Sequence, residues 1–303
     1  MEVAVISLRW LQYVGAVVLL GAPLFLLHGF GGPDGPNLFR ARAVLIVAAV
    51  AVALGSLAGL VAQTAVMAGS VSEAVRPASL SFMVTGTVLG MAMAARAGAA
   101  LLGLAAIAAL KPGRSLWALT AAIGLAVVAS FAWTGHGAAT DGAGGLVHLA
   151  ADVVHTVAAA LWLGALAALT ILLLHRTGSD DRALHRALHD FSGLGTLAVV
   201  LLVLTGLVNS WFLVGPARVG EMGASLYGQL LIAKLALFAL MLALAAANRF
   251  RLTPALGLVL ANGEDSRQAL RRLRFSVVAE TLAGALLLAV VAVMGTLAPP
   301  SAV

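Results

Sequence analysis

The sequence predicts an all-α fold: a polytopic membrane protein built as a bundle of eight transmembrane helices, with both termini on the outer side of the bilayer. Three observations predict it. The chain is 62% apolar and only 10% charged over 303 residues, with a mean hydropathy of +1.06, and a water-soluble domain of this size needs far more charge on its surface. Apolar runs of about 20 residues, the length that crosses a hydrocarbon core, recur along the chain. The connections between them are short, so residues 1–303 read as a single transmembrane domain with no segment left over for a soluble one.

The spans follow in order. Val3–His28 is too long for the core of a signal peptide and opens on Glu2 instead of a basic region, so it is expected to be retained. The turn-forming run GGPDGP separates it from Phe39–Met67. VRP precedes the third span, Ser79–Leu110, and KPG separates that from Ser115–Gly135. The remaining spans are Gly145–His175, Phe191–Val214, Ser225–Phe250 and Arg274–Leu297, with Pro254 and the Asn262-Gly263 pair marking the last connection. Many are rich in Gly and Ala, as in VALGSLAGL and MAMAARAGAALLG. Small residues let helices approach closely where lipid gives no hydrophobic drive to associate. No internal repeat is evident.

Basic residues set the orientation. The odd connections carry Arg40 and Arg42, then Lys111 and Arg114, then Arg176, Arg182 and Arg186, and finally Arg249, Arg251, Arg267, Arg271, Arg272 and Arg274. The even ones carry only Arg76 and Arg218. Positive charge accumulates on the cytoplasmic side, so the odd loops are expected there and both termini outside.

Composition also excludes function classes. A pI near 11 would suggest nucleic acid for a soluble protein, but these charges flank apolar runs, so no nucleic-acid partner is expected; the lipid bilayer is the partner they fit. Cysteine is absent, which removes disulfides, thiolate metal sites and thiol chemistry. No GxxxxGK[ST] phosphate loop occurs, and the chain is not expected to be an enzyme.

One stretch breaks the apolar pattern. Between Trp133 and Gly164 fall His136, Asp141, His148, Asp152 and His155. His148, Asp152 and His155 are spaced i, i+4 and i+7 and share one helix face. Ionisable groups inside a membrane are costly and mark a pathway or a site; the plain alternative is a polar cluster that only joins helices. His148 and His155 lie about 10.5 Å apart along the axis. Either one of them holds an ion with ligands from neighbouring helices, or the seam offers successive stations. His136 can face His148 across the mouth, and Asp152 can ligate or orient a histidine ring. Met67, Met83, Met222 and Met294 map near the outer ends of spans, with Met91 and Met93 deeper. Thioether with imidazole suits Cu(I), and imidazole alone suits Cu(II) or zinc; singly, each Met is also ordinary apolar filler. A b-type haem between two facing imidazoles is the competing reading. Arg96, Lys234 and Glu280 are three further buried charges, and an ion pair of Glu280 with one of the cations is expected, with a proton-coupling carboxylate as the alternative. Asn209 and Gln63 read as interhelical hydrogen-bond glue.

The segments GHGAA, HLAADVVHTVAAALWLG, FSGLGTLAVVLLVLTGLVNSW, SLYGQLLIAKLALFALMLALAAANRFRLTP and AETLAGALLLAVVAVMGTLAPP resemble the bacterial copper resistance protein D (CopD) family, with its YcnJ-like and YebZ-like members. The resemblance covers the C-terminal two thirds closely and the first three spans loosely, through Arg9, Trp10, Tyr13 and Arg96. It divides the chain into an N-terminal three-helix part, 1–114, and a CopD-like five-helix part, 115–303. It implies a copper transport protein of the bacterial inner membrane with periplasmic termini, working toward the cytoplasm beside a periplasmic CopC-like copper donor. His136, His148, Asp152 and His155 would be its metal-handling set; Met67, Met83 and Met294 join them as candidate ligands through their position near the outer ends of spans and not through the resemblance. The alternatives are a haem-binding membrane electron-transfer protein or metalloreductase, and a copper sensor or assembly factor that binds without conducting.

Overall fold

A computed structural model describes residues 2–29, 38–140, 142–175 and 181–302. The GGPDGP turn, Asp141 and Arg176 lie outside the described residues. The chain forms helices α1 (Glu2–Gly29), α2 (Leu38–Ala68), α3 (Val71–Ala74), α4 (Pro77–Gly86), α5 (Val88–Ala109), α6 (Arg114–Ala129), α7 (Ala143–Leu174), α8 (Asp181–Leu213), α9 (Leu226–Ala247), α10 (Thr253–Asn262) and α11 (Arg267–Met294). Among the described residues there is no strand. Eight helical stretches among the described residues are long and apolar enough to cross a membrane, the number expected from the hydropathy.

Helix α1 is the hub, packing against α2, α6 and α7. Glycine makes this possible. A Cβ on Gly21 would stand 2.7 Å from the Cα of Gly164, and one on Gly124 would stand 2.6 Å from the Leu19 carbonyl oxygen. Both crossings therefore bring backbone against backbone, the contact available to helices that cannot rely on water to drive them together. Two apolar cores result. One joins α1, α2, α5 and α6 through Leu19, Leu45, Val52 and Ile107. The other surrounds α7 through Phe25, Trp162, Leu166, Met241 and Leu273.

Several boundaries differ from expectation. Ser79–Leu110 is not one helix: it breaks at Thr87, which is extended (φ −130, ψ 140). The Thr87 hydroxyl accepts from Gly90 N at 2.9 Å and donates to Met83 O at 2.8 Å, so a side chain supplies both a cap for the new helix and a partner for the old one. The sixth span begins at Asp181, ten residues before Phe191. The seventh does not stop at Phe250. It passes through a π turn, Asn248–Leu252, into α10, where Pro254 sits in the first turn, the place where a missing N–H breaks no intrahelical bond. That helix ends at Gly263 with φ +69, the left-handed cap that glycine allows. The fourth span leaves α-geometry at Ala129 and continues as 3₁₀ turns at Ser130–Thr134 and His136–Ala139.

Candidate functional site

The polar seam of α7 opens into a cavity of about 200 Å³. His136, His148, Asp152 and His155 all line it, joined by Arg9 and Tyr13 from α1, Asn209 from α8, Tyr227 and Lys234 from α9, and Met294 at the end of α11.

Each seam residue has an identifiable support. His148 is 1% exposed; its Nδ1 lies 2.7 Å from the Thr140 hydroxyl, and its ring stacks on Phe212, centroids 4.8 Å apart and planes within 7°. His155 Nδ1 lies 3.0 Å from Thr205 Oγ1. That hydroxyl donates to Leu201 O at 2.6 Å, so its proton is committed and it accepts from His155. The His155 tautomer is thereby set as Nδ1–H, leaving the Nε2 lone pair for a ligand. Asp152 takes a long hydrogen bond, 3.4 Å, from Asn209 Nδ2 to Oδ1. Its other oxygen is overlain by the 135–137 turn: a Cβ on Gly137 would stand 2.9 Å from Asp152 Oδ2, so only glycine lets the turn lie this close.

Two buried polar atoms at the cavity have no hydrogen-bond partner, His136 Nε2 and Asn209 Oδ1. Orphans of this kind are uncommon in a folded protein. His136 also meets Tyr227 edge-to-face at 6.1 Å. Burial holds the His136 imidazole below the ordinary histidine value; a backbone hydrogen bond at Met294 opposes the shift and Arg9 adds to it. It is a neutral ring offering an acceptor nitrogen.

The arrangement is a lined cavity and not a closed cage. Among the described residues no three His, Cys, Asp or Glu side chains are grouped to hold one ion. The methionines divide. Met294 lines the cavity. Met67 is 60% exposed, and Met83 packs in a separate apolar cluster with Leu60 and Met93; neither lines it. Met91 is exposed, and Met222 packs beside Met294 and Tyr227. Haem fits poorly: the cavity is smaller than the roughly 300–1,000 Å³ of sites for drug-sized ligands.

The expected pairing of Glu280 with a basic residue does not form. Glu280 receives a hydrogen bond from Asn248 Nδ2 at 2.8 Å. Arg96 bonds Gln12, Ser130 and Thr134, and Lys234 shares its cavity with Asp152. A hydropathy pattern identifies buried charges but not which of them the helix rotations bring together. Thr140, Thr205 and Phe212 also escape a sequence reading, because isolated Thr and Phe residues in an apolar chain carry no local signal.

Residues 1–146 match the family described as Copper resistance protein D-like, N-terminal domain, and residues 185–294 match Copper resistance protein D. Copper resistance protein D of Pseudomonas syringae pv. tomato is 37% identical over 97% of this chain and 96% of its own length. The chain belongs to the copper resistance protein D family. Copper transport protein CutJ of Bacillus subtilis is 27% identical over 78% of this chain, which corresponds to 44% of that longer protein. Inner membrane protein YebZ of Escherichia coli is 27% identical over 55% of each chain. No solved structure matches. The two family matches end at residue 146 and resume at 185, so most of α7, with His148, Asp152 and His155, falls between them.

Proposed function

We propose that this family member moves copper across the bacterial inner membrane toward the cytoplasm, receiving it from the periplasmic side in the α7 cavity. The single observation that carries this reading is the convergence of three histidines and one aspartate from two segments on one cavity, with His136 Nε2 and Asn209 Oδ1 left unpartnered there. Family membership supports copper as the cargo, and the basic loops support the orientation.

Of the two arrangements the seam allows, the geometry favours successive stations. His148 and His155 are each oriented by a threonine and stand too far apart along the helix to bind one ion together. Each station would be completed by its surroundings: His136 beside His148, and Asp152 between the two histidines. Lys234 supplies positive charge to the same cavity, so an entering cation competes with Lys234 for the field of Asp152. Imidazole suits Cu(I) and Cu(II) alike, and Met294 adds a softer ligand for Cu(I).

The test has two parts. Copper bound to purified protein is measured before and after replacing His148 and His155 with Ala; unchanged stoichiometry and affinity would remove the site. Copper uptake into proteoliposomes then separates a transporter from a protein that binds copper without passing it on.

A further inference from the structure

A second polar cluster lies in the other half of the bundle, where the π turn after α9 meets α11. Glu280 is 1% exposed, Ser276 7% and Asn248 9%. Asn248 Nδ2 donates to Glu280 Oε2, but Glu280 Oε1, Asn248 Oδ1 and Ser276 Oγ have no hydrogen-bond partner. A carboxylate there would be buried against two neutral donors, the Asn248 amide and the Trp162 indole, with no counter-charge, and its Oε1 would sit beside an amide whose own oxygen is unpaired. Such a charge costs several kcal/mol or more.

Among the described residues, the neighbouring elements supply no cation. Helix α7 contributes Trp162. Arg249, in the π turn itself, donates instead to Ser192 O and Thr196 Oγ1 on α8. Arg251, Arg271, Arg272, Arg274 and His28 are exposed. Lys234 precedes Asn248 by 14 residues on α9, about 21 Å along the axis, and belongs to the other cavity. His185 packs against Gly257 of α10.

One proton resolves the mismatch. We propose that Glu280 is a proton-binding site, carried as the neutral acid, with the proton on Oε1 donated to Asn248 Oδ1 while Asn248 Nδ2 donates back to Oε2. Acid and amide then close a ring of two hydrogen bonds, and two of the three orphan oxygens, Glu280 Oε1 and Asn248 Oδ1, are satisfied by a proton taken from water and returned to it. The π turn fits this role. It sets Asn248 at the point where α9 leaves regular geometry, and single π turns inside helices are frequent at functional sites. The site is separate from the copper cavity and stands or falls without it.

The experiment is infrared difference spectroscopy of the full chain in lipid across a pH series, wild type against Glu280→Gln. Gln keeps both hydrogen bonds but carries no titratable proton, so the variant is expected to fold. In the wild type a protonated-carboxyl carbonyl band is expected at neutral pH, absent from the variant and lost as pH rises. The melting temperature follows the same sign: a proton held more tightly by the folded chain stabilises at low pH, and that contribution disappears on raising the pH. The wild type therefore loses stability toward alkaline pH by a step that the variant lacks. Identical carboxyl regions in the two proteins at every pH would overturn the assignment. So would a band that appears only when sodium or potassium is withdrawn, which would make the site a metal-cation site.

Discussion

Two polar regions of this bundle face the same physical problem and answer it differently. Arg96 is 2% exposed, yet four of its five guanidinium N–H donors are engaged: Nε donates to Ser130 Oγ at 2.8 Å, Nη1 to Gln12 Oε1 at 2.8 Å, and Nη2 to Ser130 O and Thr134 Oγ1 at 3.1 Å. The Phe131 ring lies 3.7 Å from its centre, and Gln12 is tied in turn to Gly55 O and Ser56. This network joins α1, α2, α5 and the turn after α6. The α7 seam, at the same end of the bundle, leaves acceptors open at a cavity. Saturation marks a residue that holds helices together, and unmet capacity marks one that waits for a ligand.

That contrast can be broken experimentally. The largest effect is expected from Arg96→Met, which strips the donor from several buried acceptors at about 1–3 kcal/mol each; thermal unfolding in detergent should show a large loss, with copper affinity unchanged in whatever fraction folds. The double variant His148→Ala/His155→Ala should do the reverse. It should lose less melting temperature than Arg96→Met, since only two buried rings are cut back, while copper affinity falls by more than the roughly 10–100-fold that losing an outer-shell partner costs. Thr205→Val removes only the hydroxyl that fixes the His155 tautomer, and a loss within that roughly 10–100-fold range is expected by equilibrium dialysis.

Acidification provides a graded version of the same test. Because the folded state holds His136 below the ordinary histidine value, it binds fewer protons there than the unfolded chain. The associated stability is present above the ordinary value and is lost as pH falls through the lowered one. Copper competes with protons for the same nitrogens, so bound copper should fall over that acidic window and recover on neutralisation. At the small end, Met67→Leu should leave copper binding within error, whereas Met294→Leu should weaken Cu(I) more than Cu(II). A large Met67 effect would mean that the cavity is not where copper is held.

The fold was largely legible in the residues, because crossing a bilayer demands runs of apolar side chains that any local window detects. The third and seventh spans were misjudged for local reasons. Thr87 caps a helix from within an apolar run, and Pro254 falls in a first helical turn instead of ending a helix. At the site, the spacing of His148, Asp152 and His155 announced a polar face, the short connection before it placed His136 opposite His148, and the resemblance supported all four. The threonines that orient the rings, Thr140 in the connection before α7 and Thr205 on α8, and Arg9 and Tyr227 at the cavity wall leave no mark on the local pattern; Lys234 was visible as a buried charge, but not its place beside Asp152.

The sequence by itself determined the number of spans, the polar seam and the family, since hydropathy, periodicity and motif are properties of neighbours in the chain. Only the tertiary structure decided that Lys234 belongs with Asp152 and not with Glu280, that Met67 and Met83 stand apart, and that Glu280 meets an amide. Which polar groups share a cavity depends on the rotation of each helix about its axis. Close glycine contacts such as Gly21 on Gly164 help set that rotation, and residues 143 positions apart in the chain make that contact.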